Sequence, residues 1–384
     1  MEKTSLLYSI PYQVLFSIYF ILAIISFWDK NKRYENGIRA ICFLSFLFFF
    51  GFRGYIAFDC HAYSEFFNRE LSFENFNESR FEPGFVLYMM LCKAIIPDYH
   101  FFVFISTLID VIVFNWFLKK YSLNYAFSFA IFLVFSINME IELARNVKAI
   151  LLFLIAIPYI EKRKPLQYFS LITLALTFHL SSVFYYPLYF FLHRKFSQST
   201  VLYIIIFSNL IYLSQIQYLK IIMLKFIEFF NTPFNSIISI YLSNNEYSMS
   251  RGISIGYIER TITLFFVYTY YNKLISIKSS NIIFINLYLV YTIITLCFSE
   301  FSIFVERVGM LFTISYWIIW PSILYSVRIK NNIYCLFLFF ATYSYLKVNT
   351  YASRAVYLYE NILFNSMSKE KRQYIIDNFN DKEL

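Results

Sequence analysis

Long apolar segments separated by short polar stretches occupy most of this 384-residue chain. A membrane-spanning helix needs about 20 mainly apolar residues, and several of the segments reach that length while others are shorter. They lie near 6–27, 37–52, 84–96, 100–118, 122–138, 145–160, 166–192, 200–214, 253–271, 281–300, 304–326 and 332–347. The pattern predicts an all-α, polytopic integral membrane protein with about 11–13 membrane helices or half-helices and loops on its outer face.

Basic residues indicate the orientation, because short loops that stay in the cytoplasm carry the excess of Lys and Arg. The stretch 29–39 is rich in Lys and Arg, so we expect it in the cytoplasm. The loop 53–83 carries six acids and three basic residues, which predicts an outer loop, and 215–252 is a second predicted outer segment. We expect one polytopic membrane domain over 1–348, followed by a polar C-terminal tail at 349–384.

Two apolar segments do not fit a simple span. Segment 84–96 has only 13 residues, which favours a half-helix lying at the outer surface. Segment 166–192 must begin and end on the cytoplasmic side, which favours two helical pieces broken near Phe178 and His179. One long tilted helix is the alternative. A broken helix at membrane depth is tolerated only where it lines a cavity or packs within protein.

Composition excludes several classes of protein. Hydrophobic residues make up 59% and charged residues 15%, and the mean hydropathy is +0.56. These values exclude a soluble domain, a disordered chain and a fibrous repeat. The net charge of +9 fits positive cytoplasmic loops facing anionic lipid rather than a nucleic-acid partner, because no run of five basic residues occurs. The five cysteines are scattered without metal-binding spacing, so we expect no metal and no cofactor.

Five polar residues within or next to the spans are candidates for chemistry, because charge inside a membrane is costly. The loop assignment brings all of them toward the outer leaflet: Arg53, Arg145, His179, Arg260 and Arg307. Arginine grips phosphate oxygens in pairs, so converging arginines would suit the pyrophosphate of a lipid carrier. Alternatively, Arg260 and Arg307 only extend to the membrane interface. His179 is either a buried histidine bonded to a neighbouring Ser or Tyr, or a proton acceptor or phosphate contact.

Acidic residues of the outer loops allow further interpretations. Asp59 and His61 lie close together in the first loop, where a metal site is one option, although no second carboxylate has the right spacing. Glu140 and Glu142 form an acidic pair near Arg145. The pair is either solvated and balanced by that arginine, or it binds a divalent cation for glycosyl transfer.

Several short motifs occur in a fixed order along the chain. They are Arg53, Asp59, Tyr63 and Phe67; Glu82-Pro83-Gly84-Phe85; Arg145-Asn146-Val147-Lys148-Ala149; Phe178-His179-Leu180-Ser181-Ser182, followed by Pro187-Leu188; and the stretch from Arg307 to Pro321. Together they resemble the motifs of EpsG-like, Wzy-type polysaccharide polymerases, across residues 30–330. The chain departs from that pattern at Ala57 and Phe58, where the family usually has Gly and Thr, and at Asn146 and Ser182.

The resemblance implies a polymerase of surface polysaccharides such as O-antigen or capsule. Such an enzyme joins undecaprenyl-pyrophosphate-linked oligosaccharide repeat units on the outer face of the bacterial inner membrane. The reaction is a glycosyl transfer with the lipid pyrophosphate as leaving group. Expected partners are these lipid-linked oligosaccharides and the lipid bilayer, and the resemblance also allows chain-length regulator and flippase proteins.

The resemblance also implies roles for individual residues. Pyrophosphate and sugar contacts are expected from Arg53, Tyr63, Arg145, Arg260 and Arg307. The proton acceptor is expected among three residues, between which the sequence does not choose: His179, Asp59 and Glu82.

Other functions remain open from the sequence. A lipid-linked oligosaccharide flippase or another transporter would also need intramembrane arginines, but no convincing internal repeat is present. A membrane glycosyltransferase using a lipid-phosphate sugar would place a metal on Glu140 and Glu142. A membrane O-acyltransferase would share only the intramembrane histidine.

Overall fold

The computed structural model describes residues 3–29, 31–71, 79–229, 252–327, 330–364 and 366–378. Within these ranges the regular structure is helical, and the only β-type pairings are two isolated bridges. Together with its apolar candidate spans, this architecture identifies an all-α, polytopic membrane protein, which confirms the predicted fold class.

The first eleven α-helices are α1 (Leu6–Trp28), α2 (Glu35–Gly51), α3 (Asp59–Glu65), α4 (Pro83–Ile95), α5 (Tyr99–Tyr121), α6 (Tyr125–Phe135), α7 (Ile137–Ile141), α8 (Ala144–Glu161), α9 (Pro165–Leu176), α10 (Gln198–Ser214) and α11 (Tyr218–Phe229). The later α-helices are Ile255–Thr269, Tyr271–Ile277, Asn281–Cys297, Ser302–Met310, Ile314–Ser326, Lys330–Ala352 and Lys369–Asn378. A π-helical turn at Phe66–Glu70 extends α3, and 3₁₀ segments occupy Leu180–Phe190 and Ala355–Tyr357.

Few helices in the described ranges are long enough to cross a membrane unbroken. By length and composition α1 and α5 qualify, each with 23 residues. The pieces Phe304–Met310 and Ile314–Ser326 qualify together but are bent by 61°. Other apolar helices have 10–17 residues, so many of the predicted elements are shorter than a full span.

The chain divides into two compact units. The first unit comprises Met1–Tyr189 and Trp320–Leu384, and the second comprises Phe190–Ile319. The prediction of one membrane domain over 1–348 stays a prediction. Residues 230–251 of the predicted outer segment 215–252 lie outside the described residues.

Aromatic side chains fill the interior of the first unit. α1 packs on α6 and on the helix Lys330–Ala352, while α5 packs on α2 and α8. The fully buried ring of Phe46 contacts Phe114 and Phe132 with centroid separations of 5.8 and 5.5 Å. Such edge and tilted contacts stabilise aromatic pairs beyond the apolar area they bury. The high phenylalanine content thus supplies the packing between these helices.

Helix α4 is shorter than an unbroken membrane span. At about 1.5 Å per residue its 13 residues extend about 20 Å, less than the apolar thickness of a bilayer. Near its end, Lys93 donates to the Phe67 carbonyl at 2.6 Å in the first loop. Glu82 lies directly before the first residue of this helix. The structure thus contains a short helix at this place, while its predicted position at the outer surface of the membrane stays a prediction.

Segment 166–192 is a broken pair of antiparallel pieces. Helix α9 ends at Leu176, and the 3₁₀ segment begins at Leu180. The Tyr168 hydroxyl donates to the Tyr185 carbonyl at 2.6 Å, and the hydroxyls of Thr173 and Tyr186 lie 2.7 Å apart. The chain therefore turns back at residues 177–179. The predicted break is confirmed, and the alternative of one long tilted helix is wrong.

A C-terminal strap, residues 353–362, closes one end of the first unit. The Ala355 amide donates to the Lys3 carbonyl at 2.9 Å before α1, and the Gly54 amide donates to the Glu360 carbonyl at 3.0 Å after α2. The fully buried Arg372 donates to the strap carbonyls of Val356 and Leu358. This end of the first unit, called the site end below, thus holds the first loop, the start of α1 and part of the predicted tail.

The second unit is tied together by polar side chains that satisfy main-chain groups. The Asn286 amide donates to the Leu192 and Arg194 carbonyls, each at 2.8 Å. The buried Glu300 carboxylate accepts from the Leu219 and Lys220 amides, each at 3.0 Å, and so caps the start of α11.

Candidate functional site

The predicted site residues divide between the two units. Six lie in the first unit: Arg53, Asp59, Tyr63, Glu82, Arg145 and His179. The other two, Arg260 and Arg307, lie in the second unit.

Arg145 is the central cation of the site end. It lies in the first turn of α8, and its Nη1 is 2.6 Å from Glu82 Oε2. Its Nε donates to the Tyr63 hydroxyl at 3.4 Å, and its guanidinium carbon lies 4.9 Å from the ring centroid of Phe81. The two side chains of the ion pair are 23% and 20% exposed, so a ligand can reach this guanidinium.

Glu82 joins the starts of three helical segments. Its Oε2 binds Arg145 at the start of α8, and its Oε1 accepts from the Leu180 amide at 3.3 Å. Glu82 also directly precedes α4. Helix starts present unpaired amides and partial positive charge, so this is a favourable place for an anion.

Gly84 permits α4 to approach the break after α9. Its amide donates to the Thr177 carbonyl at 2.8 Å. A Cβ at position 84 would lie 2.1 Å from Thr177 Oγ1 and 2.8 Å from the Thr177 carbonyl oxygen. Only glycine fits there, which gives the Glu82-Pro83-Gly84-Phe85 motif a steric reason.

His179 uses one ring nitrogen as an acceptor. The Ser181 amide donates to Nδ1 at 3.2 Å, and the Ser181 hydroxyl lies 2.6 Å from the same atom. Because Nδ1 accepts a main-chain hydrogen bond, this network assigns the proton of the neutral ring to Nε2. The predicted bond to a neighbouring serine is therefore present, and His179 is arranged as a hydrogen-bond donor through Nε2.

The Arg53 side chain hydrogen-bonds to other groups of the protein instead of facing an open surface. It is 9% exposed and donates to the carbonyls of Phe50 and Glu140 at 2.6 and 2.8 Å, and to Thr107 Oγ1 at 3.2 Å. It therefore joins the end of α2 to α5 and to α7. Its predicted role as a pyrophosphate contact stays a prediction.

A buried ionic network lies next to Arg53, and the candidate list from the sequence missed it. Lys148 pairs with Asp110, Thr107 donates to Glu140 Oε1 at 3.0 Å, and Arg53 Nη1 lies 3.7 Å from the same oxygen. The sequence did contain a signal for this network, because each of its two paired charges lies inside an apolar segment. Asp110 lies within 100–118 and Lys148 within 145–160. This network joins α5, α7 and α8 beneath the site end.

Glu140 and Glu142 have different environments. Glu140 faces the buried network, while Glu142 Oε1 accepts from the hydroxyl of Tyr357 in the strap at 2.9 Å. Burial, with a smaller contribution from Asp59, raises the pKa of the Glu142 carboxyl to about 7. Within the described ranges, no group of three or more His, Cys, Asp or Glu side chains is arranged to hold a metal ion.

Asp59 and Tyr63 lie in α3 of the first loop. Asp59 is the first residue of that helix and Tyr63 follows one turn later. Burial, followed by the charge of Asp59, raises the pKa of Tyr63 to about 12, so its hydroxyl stays protonated at neutral pH. Asp59 thus influences both Glu142 and the tyrosine that contacts Arg145.

His61, the third residue of this helix, is buried without a hydrogen-bond partner on either ring nitrogen. Burial, together with the charges of Lys369 and Arg372, lowers its pKa to about 4. It is therefore a neutral ring at physiological pH.

The two arginines of the second unit differ in exposure. Arg260 is partly buried and interacts with the phenol of Tyr291, and its carbonyl accepts from the Tyr288 hydroxyl at 3.1 Å. Arg307 is exposed near the end of the helix Ser302–Met310. Their predicted contacts with pyrophosphate stay predictions, and so does the predicted gathering of the polar residues toward the outer leaflet.

Comparison with known proteins adds one finding. A family model described as the EpsG family matches residues 37–363, which include every predicted site residue and all of the strap. No curated protein and no solved structure matches the chain.

Proposed function

This chain belongs to the EpsG family of polysaccharide-polymerase-related membrane proteins, and we propose that it polymerises undecaprenyl-pyrophosphate-linked oligosaccharide repeat units into a surface polysaccharide. The proposed reaction takes place on the outer face of the bacterial inner membrane. A sugar hydroxyl of one unit attacks the anomeric carbon that is linked to the pyrophosphate of the other. Lipid pyrophosphate leaves as the new glycosidic bond forms.

The observation that carries this proposal is the partly exposed Arg145 at the meeting point of three helix starts. Negative charge develops on the pyrophosphate as it departs, and a guanidinium fork can donate two hydrogen bonds to phosphate oxygens. Amides at the start of α8 and of the 3₁₀ segment add partial positive charge. The site therefore supports stabilisation of an anionic leaving group without a metal ion.

Neighbouring residues position this guanidinium and provide sugar contacts. Glu82 holds Arg145 at 2.6 Å and is itself held by the Leu180 amide at 3.3 Å. Tyr63, which stays protonated, can exchange its contact with Arg145 for a sugar or phosphate oxygen. We assign His179 a donor role through Nε2, because its Nδ1 is used by Ser181.

The proposed orientation follows from the first loop. If the acidic loop 53–83 faces the outside, the site end and the strap face the outside as well, because hydrogen bonds join them directly. The lipid part of the substrate would remain in the bilayer while its pyrophosphate reaches Arg145 at the interface.

The experiment is deletion of the gene, followed by electrophoresis of the surface polysaccharide. Genes for the wild type, for Arg145→Ala and for the matched control Arg69→Ala are then introduced into the deletion strain. The amount of each protein in the membrane is compared. Arg69 lies in the π-helical turn after α3, where its exposed side chain pairs with Glu65. We expect the deletion strain to display a single repeat unit without the long-chain ladder. Wild type and the control should restore the ladder, and Arg145→Ala should not.

Other outcomes would overturn the proposal in distinguishable ways. Loss of even the single unit from the deletion strain would indicate a flippase or an earlier step. An unchanged polysaccharide would exclude the proposed pathway. A normal ladder with Arg145→Ala would remove Arg145 from the reaction.

A further inference from the structure

One carboxylate at the site end belongs to none of the candidates for proton transfer. Glu142 lies in the connection between α7 and α8, three residues before Arg145, and its side chain is partly exposed. Its position places a carboxylate on the short connection that leads into α8, which begins with Ala144 and Arg145.

Two of the three predicted proton acceptors are already committed. Glu82 gives one oxygen to the Arg145 guanidinium and the other to the Leu180 amide, so both of its oxygens already accept from donors within the protein. His179 accepts at Nδ1 and carries its proton on Nε2, so its second nitrogen is a donor. Both residues therefore use their acceptor atoms in contacts within the protein.

Glu142 has the surroundings that a base requires. The Tyr357 hydroxyl orients its Oε1 at 2.9 Å. The charged and titratable groups around it are Asp59 of α3, Arg354 and Tyr357 of the strap, Tyr12 of α1 and Cys60 of α3. Asp59 also acts on Tyr63, which contacts Arg145, so these groups belong to one continuous cluster.

We propose that Glu142 is the catalytic base of the polymerisation and that Tyr357 is its positioning residue. This inference rests on the proposed function. The Glu142 carboxylate takes the proton of the attacking sugar hydroxyl while the hydroxyl oxygen bonds to the anomeric carbon. The bond between that carbon and the pyrophosphate oxygen breaks, and the electron pair leaves with the lipid pyrophosphate beside Arg145.

The acid–base property of Glu142 agrees with this role. Its pKa of about 7 lies near neutral pH, where a carboxylate is both ionised in part and more basic than an ordinary glutamate. From the sequence, Glu142 belonged to an acidic pair that was either solvated and balanced by Arg145 or bound to a divalent cation. The structure separates it from Glu140 and pairs it with the strap.

The first test uses the full chain in nanodiscs with undecaprenyl-pyrophosphate-linked oligosaccharide extracted from the deletion strain. Polymer formation is followed over time at several substrate concentrations. Glu142→Gln keeps the shape of the side chain but removes the base, so we expect kcat to fall about 100- to 10,000-fold with little change in KM. Glu142→Asp should retain part of the activity if the variant folds.

The second test measures the pH dependence of kcat/KM for Tyr357→Phe. The Tyr357 hydroxyl stabilises the ionised carboxylate, so its removal raises the pKa of Glu142. The base must be ionised, so activity is lost as pH falls through that pKa. The acidic limb of the pH profile should therefore lie at higher pH for Tyr357→Phe than for wild type. The matched control is Tyr359→Phe, since Tyr359 lies in the same strap but donates to the Phe49 carbonyl.

The outcomes separate this inference from the proposed function. If wild type forms no polymer from the extracted substrate, the proposed function fails. If wild type is active and folded Glu142→Gln has a similar kcat, Glu142 is not the base. If the acidic limb is the same for Tyr357→Phe and Tyr359→Phe, Tyr357 does not position the base. If Glu142→Gln misfolds, Glu142→Asp and Tyr357→Phe decide the question. Wild-type kinetics of Glu142→Asp together with an unshifted acidic limb in the pH profile of Tyr357→Phe would overturn the inference.

Discussion

Two ion pairs on α8 lie less than one helical turn apart and differ in almost every physical respect. Arg145–Glu82 is at the start of the helix, with side chains 23% and 20% exposed. Lys148–Asp110 is deeper, with side chains 6% and 4% exposed. Exposed charge can be shared with a ligand, whereas buried charge needs its partner at all times. The comparison teaches that burial, more than charge, distinguishes the ion pair proposed to act in the reaction from the ion pair that stabilises the fold.

The buried pair should give the largest effect. Lys148→Met leaves Asp110 without its cation in the interior, and removal of one partner from a buried pair costs about 3–5 kcal/mol. We expect loss of folded protein, measured by thermal unfolding of the detergent-solubilised chain. The double variant Lys148→Met with Asp110→Leu should recover most of the stability. Failure of this recovery would mean that the pair does more than balance charge.

The exposed pair should affect activity instead of stability. Arg145→Lys keeps the charge but loses the planar fork, so we expect polymer formation to fall about 100-fold, as for loss of one donor at a developing anion. The thermal unfolding midpoint should change little. Arg69→Lys, at an exposed arginine of the first loop, is the control. A large drop in stability with normal turnover per folded molecule would reverse the assignment of the two pairs.

The close contact that holds Glu82 beside Arg145 can be tested at Gly84. Gly84→Ala forces a methyl group against Thr177 at 2.1 Å, and such overpacking typically costs about 1–3 kcal/mol. We expect lower stability together with lower activity, because the start of α4 must shift. Gly37→Ala offers a control, since a Cβ there meets no atom within 4 Å. Equal behaviour of the two variants would disprove the steric argument.

The smallest effect is expected at Ala57. Its φ of +66° lies in the left-handed region, which costs a non-glycine residue about 1–2 kcal/mol. Ala57→Gly removes that strain but also removes a buried methyl group worth about 0.8 kcal/mol. We therefore expect stability equal to or slightly above wild type, measured by the same thermal unfolding assay. Clear destabilisation would show that packing at this position outweighs backbone strain.

Local patterns were enough to predict much of the fold and part of the site. The short length of 84–96 predicted a half-helix, and the loop charges around 166–192 predicted its break near His179. Both features depend on apolar length and loop charge, which are readable along the chain. The motif residues Glu82, Arg145 and His179 were also identified, and the structure brings them to one end of the first unit.

Other parts of the site depend on residues that are distant in sequence. Tyr357 is 215 positions from Glu142, and Lys148 is 38 positions from Asp110. Neither hydropathy nor motif spacing specifies such pairs, because they arise only when helices and strap pack. Arg53 shows the same limit, since its place in the order of motifs suggested a ligand contact while its hydrogen bonds join α2 to α5 and α7.

The amino-acid sequence alone determined that this is a polytopic helical membrane protein with conspicuous charges within or next to its apolar segments, because apolar length and charge placement act locally. Only the tertiary structure decided which charges face one another, which are buried and which side chains orient the others. Those properties depend on desolvation and on distances across packed helices, and neither is encoded in any single segment.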